Sequence, residues 1–185
     1  RDSISSSIIS SLETTLQEKS YETEEHAIRL RKMALLLGRA LKLPDNKLNE
    51  LSLLSTLHDI GKIGIPDEIL TKKGKLTEKE WEIIKKHPEI GYNISSSNPQ
   101  LTPISNGILS HHEHWNGAGY PRGLSGDEIP MESRIITIVD AFDVMTHDRC
   151  YKKAVSCIEA VEELHRCAGT QFDPILVKIF TQVLE

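Results

Sequence analysis

A chain of 185 residues with 38% apolar side chains is long enough to bury one real core and of a size for one domain. Its 22 Lys and Arg against 27 Asp and Glu leave a formal charge of −5, which excludes a global positive field for DNA or an anionic membrane, so an anionic substrate must meet cations gathered locally. Cys150, Cys157 and Cys167 are odd in number and lack Cys-x-x-Cys spacing, which excludes a disulfide framework or a cysteine zinc site and fits a reducing, cytoplasmic setting, and no run approaches the length of a membrane span.

The opening RDSISSSIIS has no secretory layout and does not begin with Met, so the chain reads as a piece of a longer protein. Ile4, Ile8, Leu12 and Leu16 recur every four residues and predict a first helix with a narrow apolar stripe, a linker over residues 1–20 leading into a catalytic unit over 21–185. From Thr23, the residues Ala27, Leu30, Ala34, Leu37 and Leu41 step by three and four until Pro44 stops a second helix. Glu22 and His26, four apart, share the face that runs on into Leu30 and are expected to point inward.

Asp45 is expected to cap a third helix that buries Leu48, Leu51, Leu54 and Leu57, and His58 continues this stripe. Asp59 follows at once, then Gly61, Gly64 and Pro66 break the helix, so Lys62 projects from a turn beside the pair. The Lys-rich residues 71–75 read as a solvated loop. Thr77 with Glu80 makes a capping box opening a fourth helix, expected to end at His87 because Pro88 disfavours helical geometry in the residue before it. Residues 98–103 are expected to loop, and residues 104–112 to form a short helix ending in His111 and His112.

Between residues 113 and 130 lie four glycines and two prolines, too many breakers for regular structure, and a loop of that length in a compact domain usually has a job. RIITIVDAFDVM, from Arg134, is apolar nearly all round and predicts a central buried helix, interrupted by Asp140 and Asp143. Buried carboxylates are expensive without a partner, so these two argue for a metal or charge-pair site. After a loop carrying Arg149, Lys152 and Lys153, two last helices are expected, the final one buried through Ile175, Ile179, Phe180 and Val183. No internal repeat is visible.

Taken alone, His58 and Asp59 also fit an ordinary capped or hydrogen-bonded pair. Glu22, His26, His58, Asp59, His87, His111, His112 and Asp140 together, each at a helix end or on a buried face, form a donor set of imidazoles and carboxylates without thiolates. Such a set suits iron, manganese, zinc or nickel rather than calcium. Eight donors exceed what one ion takes, which points to two or three ions with Asp59 as the bridge. Clustered ions activate water and neutralise phosphoryl charge, the chemistry of phosphate-ester hydrolysis, for which Lys62, Arg149 and Lys152 supply local positive charge.

HDIGK at 58–62, HHEHWNGAGYP at 111–121, GLSGDEIP at 123–130, RIITIVDAFDVMT at 134–146, DRCYK at 148–152 and GTQFDP at 169–174 resemble the HD-GYP family of bacterial phosphodiesterases over nearly the whole chain. The resemblance implies an all-α fold of the HD superfamily, with about seven to eight helices around a multi-metal centre of iron or manganese. It implies hydrolysis of cyclic di-GMP to pGpG and on to GMP. Carried over by position, His26, His58, Asp59, His87, His111, His112 and Asp140 become metal ligands, and Glu22 marks a third metal site. Lys62, Arg149 and Lys152 become phosphate or guanine contacts, with Asp59, Lys62 and Asp143 at the chemistry and Asp143 in a hydrogen-bonding or proton-transfer role. The Gly119-Tyr120-Pro121 loop is implied in contacts with GGDEF cyclase domains, and fusion to an upstream sensor or receiver domain is expected. Asn116, Ala118, His114, His147 and Cys150 depart from the usual pattern without removing a ligand. A binding or scaffold module, cleavage of cyclic GMP-AMP, and an HD phosphohydrolase of ppGpp or dNTPs are the competing readings.

Overall fold

The computed structural model describes residues 2–19, 23–148 and 153–184, and among them every regular element is helical. In chain order these are α1 (Asp2–Lys19), α2 (Glu24–Ala40), α3 (Asp45–Leu57), a 3-10 turn (Ile60–Gly64), α4 (Asp67–Leu70), α5 (Glu78–Ile84), α6 (His87–Ser96), α7 (Thr102–Ser110), a 3-10 turn (Gly126–Glu128), α8 (Met131–Thr146), α9 (Cys157–Arg166) and α10 (Pro174–Leu184). The all-α expectation holds. Among the described residues ten α-helices stand where about seven to eight were expected, because α4 and α6 carried no periodic signal long enough to read.

The apolar periodicity does what the sequence predicts. Leu30, Ala34 and Leu37 of α2 and Leu51, Leu54 and Leu57 of α3 are buried against α8, whose Ile135, Ile136, Ile138 and Val139 are fully enclosed. From α8, Phe142 meets Phe180 of α10 edge to face, ring centroids 5.4 Å apart. Leu16 of α1 joins this core, and Lys19 Nζ pairs with Asp67 2.6 Å away, so α1 lies along α3 and the first 3-10 turn.

Four local expectations are corrected. Pro44, not Asp45, is the N-cap of α3, and Asp45 occupies its first turn, where its charge still suits the helix dipole. Helix α5 stops at Ile84, and His87 opens α6 with Pro88 in the first turn; proline there removes no needed N–H, so it starts a helix rather than ending one. By the same logic Pro103 belongs to the first turn of α7, which begins at Thr102 inside the expected loop. Helix α10 is rotated from the expected face: Leu176, Val177, Phe180 and Thr181 are buried, while Ile175 is 66% exposed.

Candidate metal centre

His58 is the C-cap of α3, and Asp59 leads directly into the 3-10 turn. That turn lies hard against the start of α6. A Cβ added at Gly61 would sit 1.8 Å from the His87 carbonyl oxygen and 2.6 Å from the Gly91 nitrogen, so only glycine permits the approach. The approach brings Asp59 Oδ1 to 2.9 Å from His87 Nε2, while the end of α7 places His111 Nε2 3.5 Å from the same oxygen. On the other side, Asp59 Oδ2 lies 3.4 Å from His58 Nε2. Thr23 caps α2 by accepting the His26 N–H, and His26, in the helix's first turn, sets its Nε2 3.6 Å from Asp140 Oδ1 on α8.

Seven of the expected ligands therefore gather into two groups: Asp59, His87, His111 and His112 in one, His26, His58 and Asp140 in the other, with ligand atoms in each group all within 4.8 Å of one another. The two oxygens of Asp59 face different groups, the arrangement a bridging carboxylate needs. Glu22, Arg149 and Lys152 lie outside the described residues.

The hydrogen bonds on the far side of each ring decide what the near side offers. Nδ1 of His58, His87 and His111 lies 3.2, 2.8 and 2.6 Å from the carbonyl oxygens of Ser55, Ile84 and Ile108 respectively. Carbonyls only accept, so each Nδ1 carries the proton and, in the neutral ring, Nε2 turns a lone pair inward. Burial drives the His111 imidazole down to about 4, and burial followed by the neighbouring His111 drives His112 well below its ordinary value, so neither takes a proton at neutral pH. Lone pairs thus converge on a carboxylate, an arrangement that repels itself unless a cation sits among them. His26 makes the point separately: its Nδ1 is 2.7 Å from Asp143 Oδ2, and its buried Nε2 has no hydrogen-bond partner among the described residues. The donor set fits divalent metal ions.

Asp143, expected in a hydrogen-bonding or proton-transfer role, is 1% exposed and engaged at both oxygens. Arg29 grips it as a fork, Nε to Oδ1 at 2.6 Å and Nη2 to Oδ2 at 2.9 Å. Burial alone would push this carboxyl up; the hydrogen bonds from His26 and Arg29 outweigh it and hold Asp143 ionised far below the usual carboxylate range. Lys62 projects from the turn as expected, its Nζ 2.6 Å from Asp59 Oδ2. His147 Nδ1 lies 3.2 Å from Asp143 Oδ1.

The glycine-rich loop folds back over this centre. Gly119 lies on the backbone of residues 112–114, since a Cβ there would meet the His114 nitrogen at 2.2 Å. Tyr120 N–H donates to the His112 carbonyl at 3.1 Å, and its ring stacks on the His112 ring with centroids 4.9 Å apart. Buried Glu113 accepts the backbone N–H groups of Arg122 and Leu124 at 2.7 and 3.0 Å. Asn116 Oδ1 accepts the Ala118 N–H, a turn in which Asn serves as well as Asp. Arg29 and Glu113 escaped the reading of the sequence. The available signals were Arg29 one turn after His26 and an acid directly following two expected ligands.

A sequence profile of the HD domain family matches residues 10–176. A cyclic di-GMP phosphodiesterase of Thermotoga maritima is 38% identical over 167 residues, which cover 89% of this chain and 45% of that protein. A 3'3'-cGAMP-specific phosphodiesterase (number 2) of Vibrio cholerae is 36% identical over 180 residues, covering 96% of this chain and 34% of that protein. The chain thus spans under half the length of these curated relatives. Among solved structures, a cyclic GMP-AMP phosphodiesterase of V. cholerae, V-cGAP3, superimposes with a TM-score of 0.73 at 24% identity over 96% of this chain and 48% of that one, a likeness of fold.

Proposed function

The chain belongs to the HD domain family, in its HD-GYP branch, and on that premise we propose that it is a metal-dependent phosphodiesterase hydrolysing cyclic di-GMP to pGpG and on to GMP. The observation that carries this reading is the convergence of two donor groups on the two oxygens of one carboxylate, Asp59. His26, His58 and Asp140 would hold one ion and His87, His111 and His112 a second, with Asp59 between them. Glu22 is proposed for a third. When bound, divalent ions, iron or manganese by resemblance to the family, would activate a water and neutralise charge on the attacked phosphoryl group.

The chain's own residues do the rest. Lys62, with its ammonium 2.6 Å from Asp59 and partly open to solvent, is proposed to meet a phosphate oxygen beside the carboxylate. Arg149 and Lys152 are proposed to grip the far phosphate, Arg149 as a two-pronged donor. Asp143, ionised and held at both oxygens, is assigned to orienting His26 rather than to carrying a proton. Residues 1–20 are proposed as a linker helix from an upstream sensor or receiver domain and 21–185 as the catalytic unit, acting in the cytoplasm. The exposed tip beside Gly119-Tyr120-Pro121 is proposed to contact a GGDEF domain. No helix of the described residues is long and apolar enough to cross a membrane.

Cyclic GMP-AMP is the second substrate to weigh, because a relative 36% identical to this chain is named for it. The test is turnover by manganese- or iron-loaded chain on both cyclic dinucleotides, followed by chromatography. Metal-dependent release of pGpG or GMP from cyclic di-GMP is expected; faster cleavage of cyclic GMP-AMP reassigns the substrate, and binding without cleavage leaves a sensing or scaffold module. Equal metal content in Glu22→Ala and the parent would end the third-site proposal.

A further inference from the structure

We propose that Tyr120 of the glycine-rich loop and Glu113 are positioning residues for the metal centre, holding the His112 imidazole in ligating orientation from behind. The inference rests on the metal-centre reading above. His112 differs from its neighbours in what fixes its ring. His58, His87 and His111 are each tied through Nδ1 to a main-chain carbonyl, and His26 to Asp143. Among the described residues His112 has no such tie; its one ring hydrogen bond runs from Nε2 to His87 Nε2 at 3.2 Å, inside the donor group itself. A ligand ring without an anchor on its far nitrogen swings about its χ angles, and metal affinity falls with that freedom. Tyr120 supplies the missing restraint by packing: its ring lies 24° from parallel to His112 at a centroid separation of 4.9 Å.

Three tethers hold Tyr120 in that place. Its own N–H is bonded to the His112 carbonyl at 3.1 Å. Gly119 rests on the main chain of residues 112–114. Just beyond Pro121, the Glu113 carboxylate takes the N–H groups of Arg122 and Leu124, one oxygen to each. Glu113 is 2% exposed and adjacent to His112 in the chain, so the ligand and the anchor of its backing loop are consecutive residues. The Tyr120 hydroxyl has no part in this; the flat ring does the work. The loop therefore has a job inside the molecule whatever its exposed tip, Ala118 and Arg122, meets outside.

Titration of Mn(II) into the metal-stripped full chain tests this, with metal content read by elemental analysis and folding by circular dichroism. Tyr120→Phe keeps the ring and is expected to bind both ions within about twofold of the parent. Tyr120→Leu and Glu113→Gln, which lose the flat ring or one of the two N–H contacts, are expected to weaken one of the sites by about tenfold or more. The other site, held by His26, His58 and Asp140, keeps its affinity and serves as the internal control. Tyr120→Leu with parental affinity at every site overturns the inference, as does Tyr120→Phe losing as much as Tyr120→Leu. Should Glu113→Gln fail to fold, the contrast between Phe and Leu at 120 decides. A parent that binds no Mn(II) overturns the metal-centre reading and this inference with it; a parent that binds while Tyr120→Leu is unchanged overturns only this one.

Discussion

At the scale of single residues, the chain Arg29 to Asp143 to His26 shows how an imidazole is oriented for the ligand role proposed for it. Imidazole Nδ1 donates to a carboxylate that is itself gripped by a guanidinium fork, which fixes ring orientation and raises the basicity of the nitrogen left over. Asp143→Asn is expected to weaken manganese at the His26 group by about 10–100-fold, and Arg29→Lys, which keeps the charge but loses the fork, by less. Metal titration monitored by calorimetry separates the two, and parental affinity in Asp143→Asn would contradict the assignment. The histidines proposed as ligands were legible in the sequence because each lies on an apolar stripe or at a helix end. Arg29 was not, since a lone arginine reads as surface and its partner is 114 positions away. Glu113 was hidden by the opposite problem: it sits among breakers, where burial has no periodic signature.

The elements place those residues by contacts that the sequence announces unevenly. Gly61 reads as a helix breaker, yet its use is the close approach of the 3-10 turn to α6 that brings Asp59 to His87. In Gly61→Ala the turn and α6 must part, an overpacking cost at or above the usual range of about 1–3 kcal/mol, with loss of metal from the Asp59 and His87 group. Thermal unfolding and elemental analysis check both halves. The capping box was legible outright: Thr77 accepts the Glu80 N–H, and Glu80 reaches back to Thr77. Thr77→Ala is expected to cost about 1 kcal/mol. Glu80 is held down at about 2, first by Lys72 and then by the Thr77 N–H. Its folded value lies below the ordinary 4.5, so its contribution is full above that pH and fades as pH falls toward 2. Acid unfolding of Glu80→Gln should lack that component. Pro88 was misread because proline forbids helix before it only where the preceding residue is interior to a helix; at the first turn it favours one.

Across the whole molecule, helical periodicity was enough to fix the class, because Leu, Ile and Ala at steps of three and four can bury together only as packed helices. What it left open is where the helix ends meet. The centre is assembled from the start of α2, the end of α3, the start of α6, the end of α7 and the middle of α8, and those five points converge through the packing of α2 on α3 and α8, of the 3-10 turn on α6, and of α6 and α3 on α7. Apolar stripes and helix ends collected the set, and the resemblance in motif order tied it to a family. The core behind the centre is a separate matter. Phe180→Ala, which empties a fully buried position against Phe142, is expected to cost about 3–5 kcal/mol in denaturant unfolding while the folded fraction keeps its metal. The central claim, that Asp59 joins two donor groups into one hydrolytic centre, is tested most directly by elemental analysis of anaerobically purified chain together with its turnover of cyclic di-GMP. The account predicts at least two iron or manganese ions per chain and metal-dependent release of pGpG or GMP, both lost in Asp59→Ala. A single ion per chain, or turnover unchanged after the metal is stripped, would contradict it.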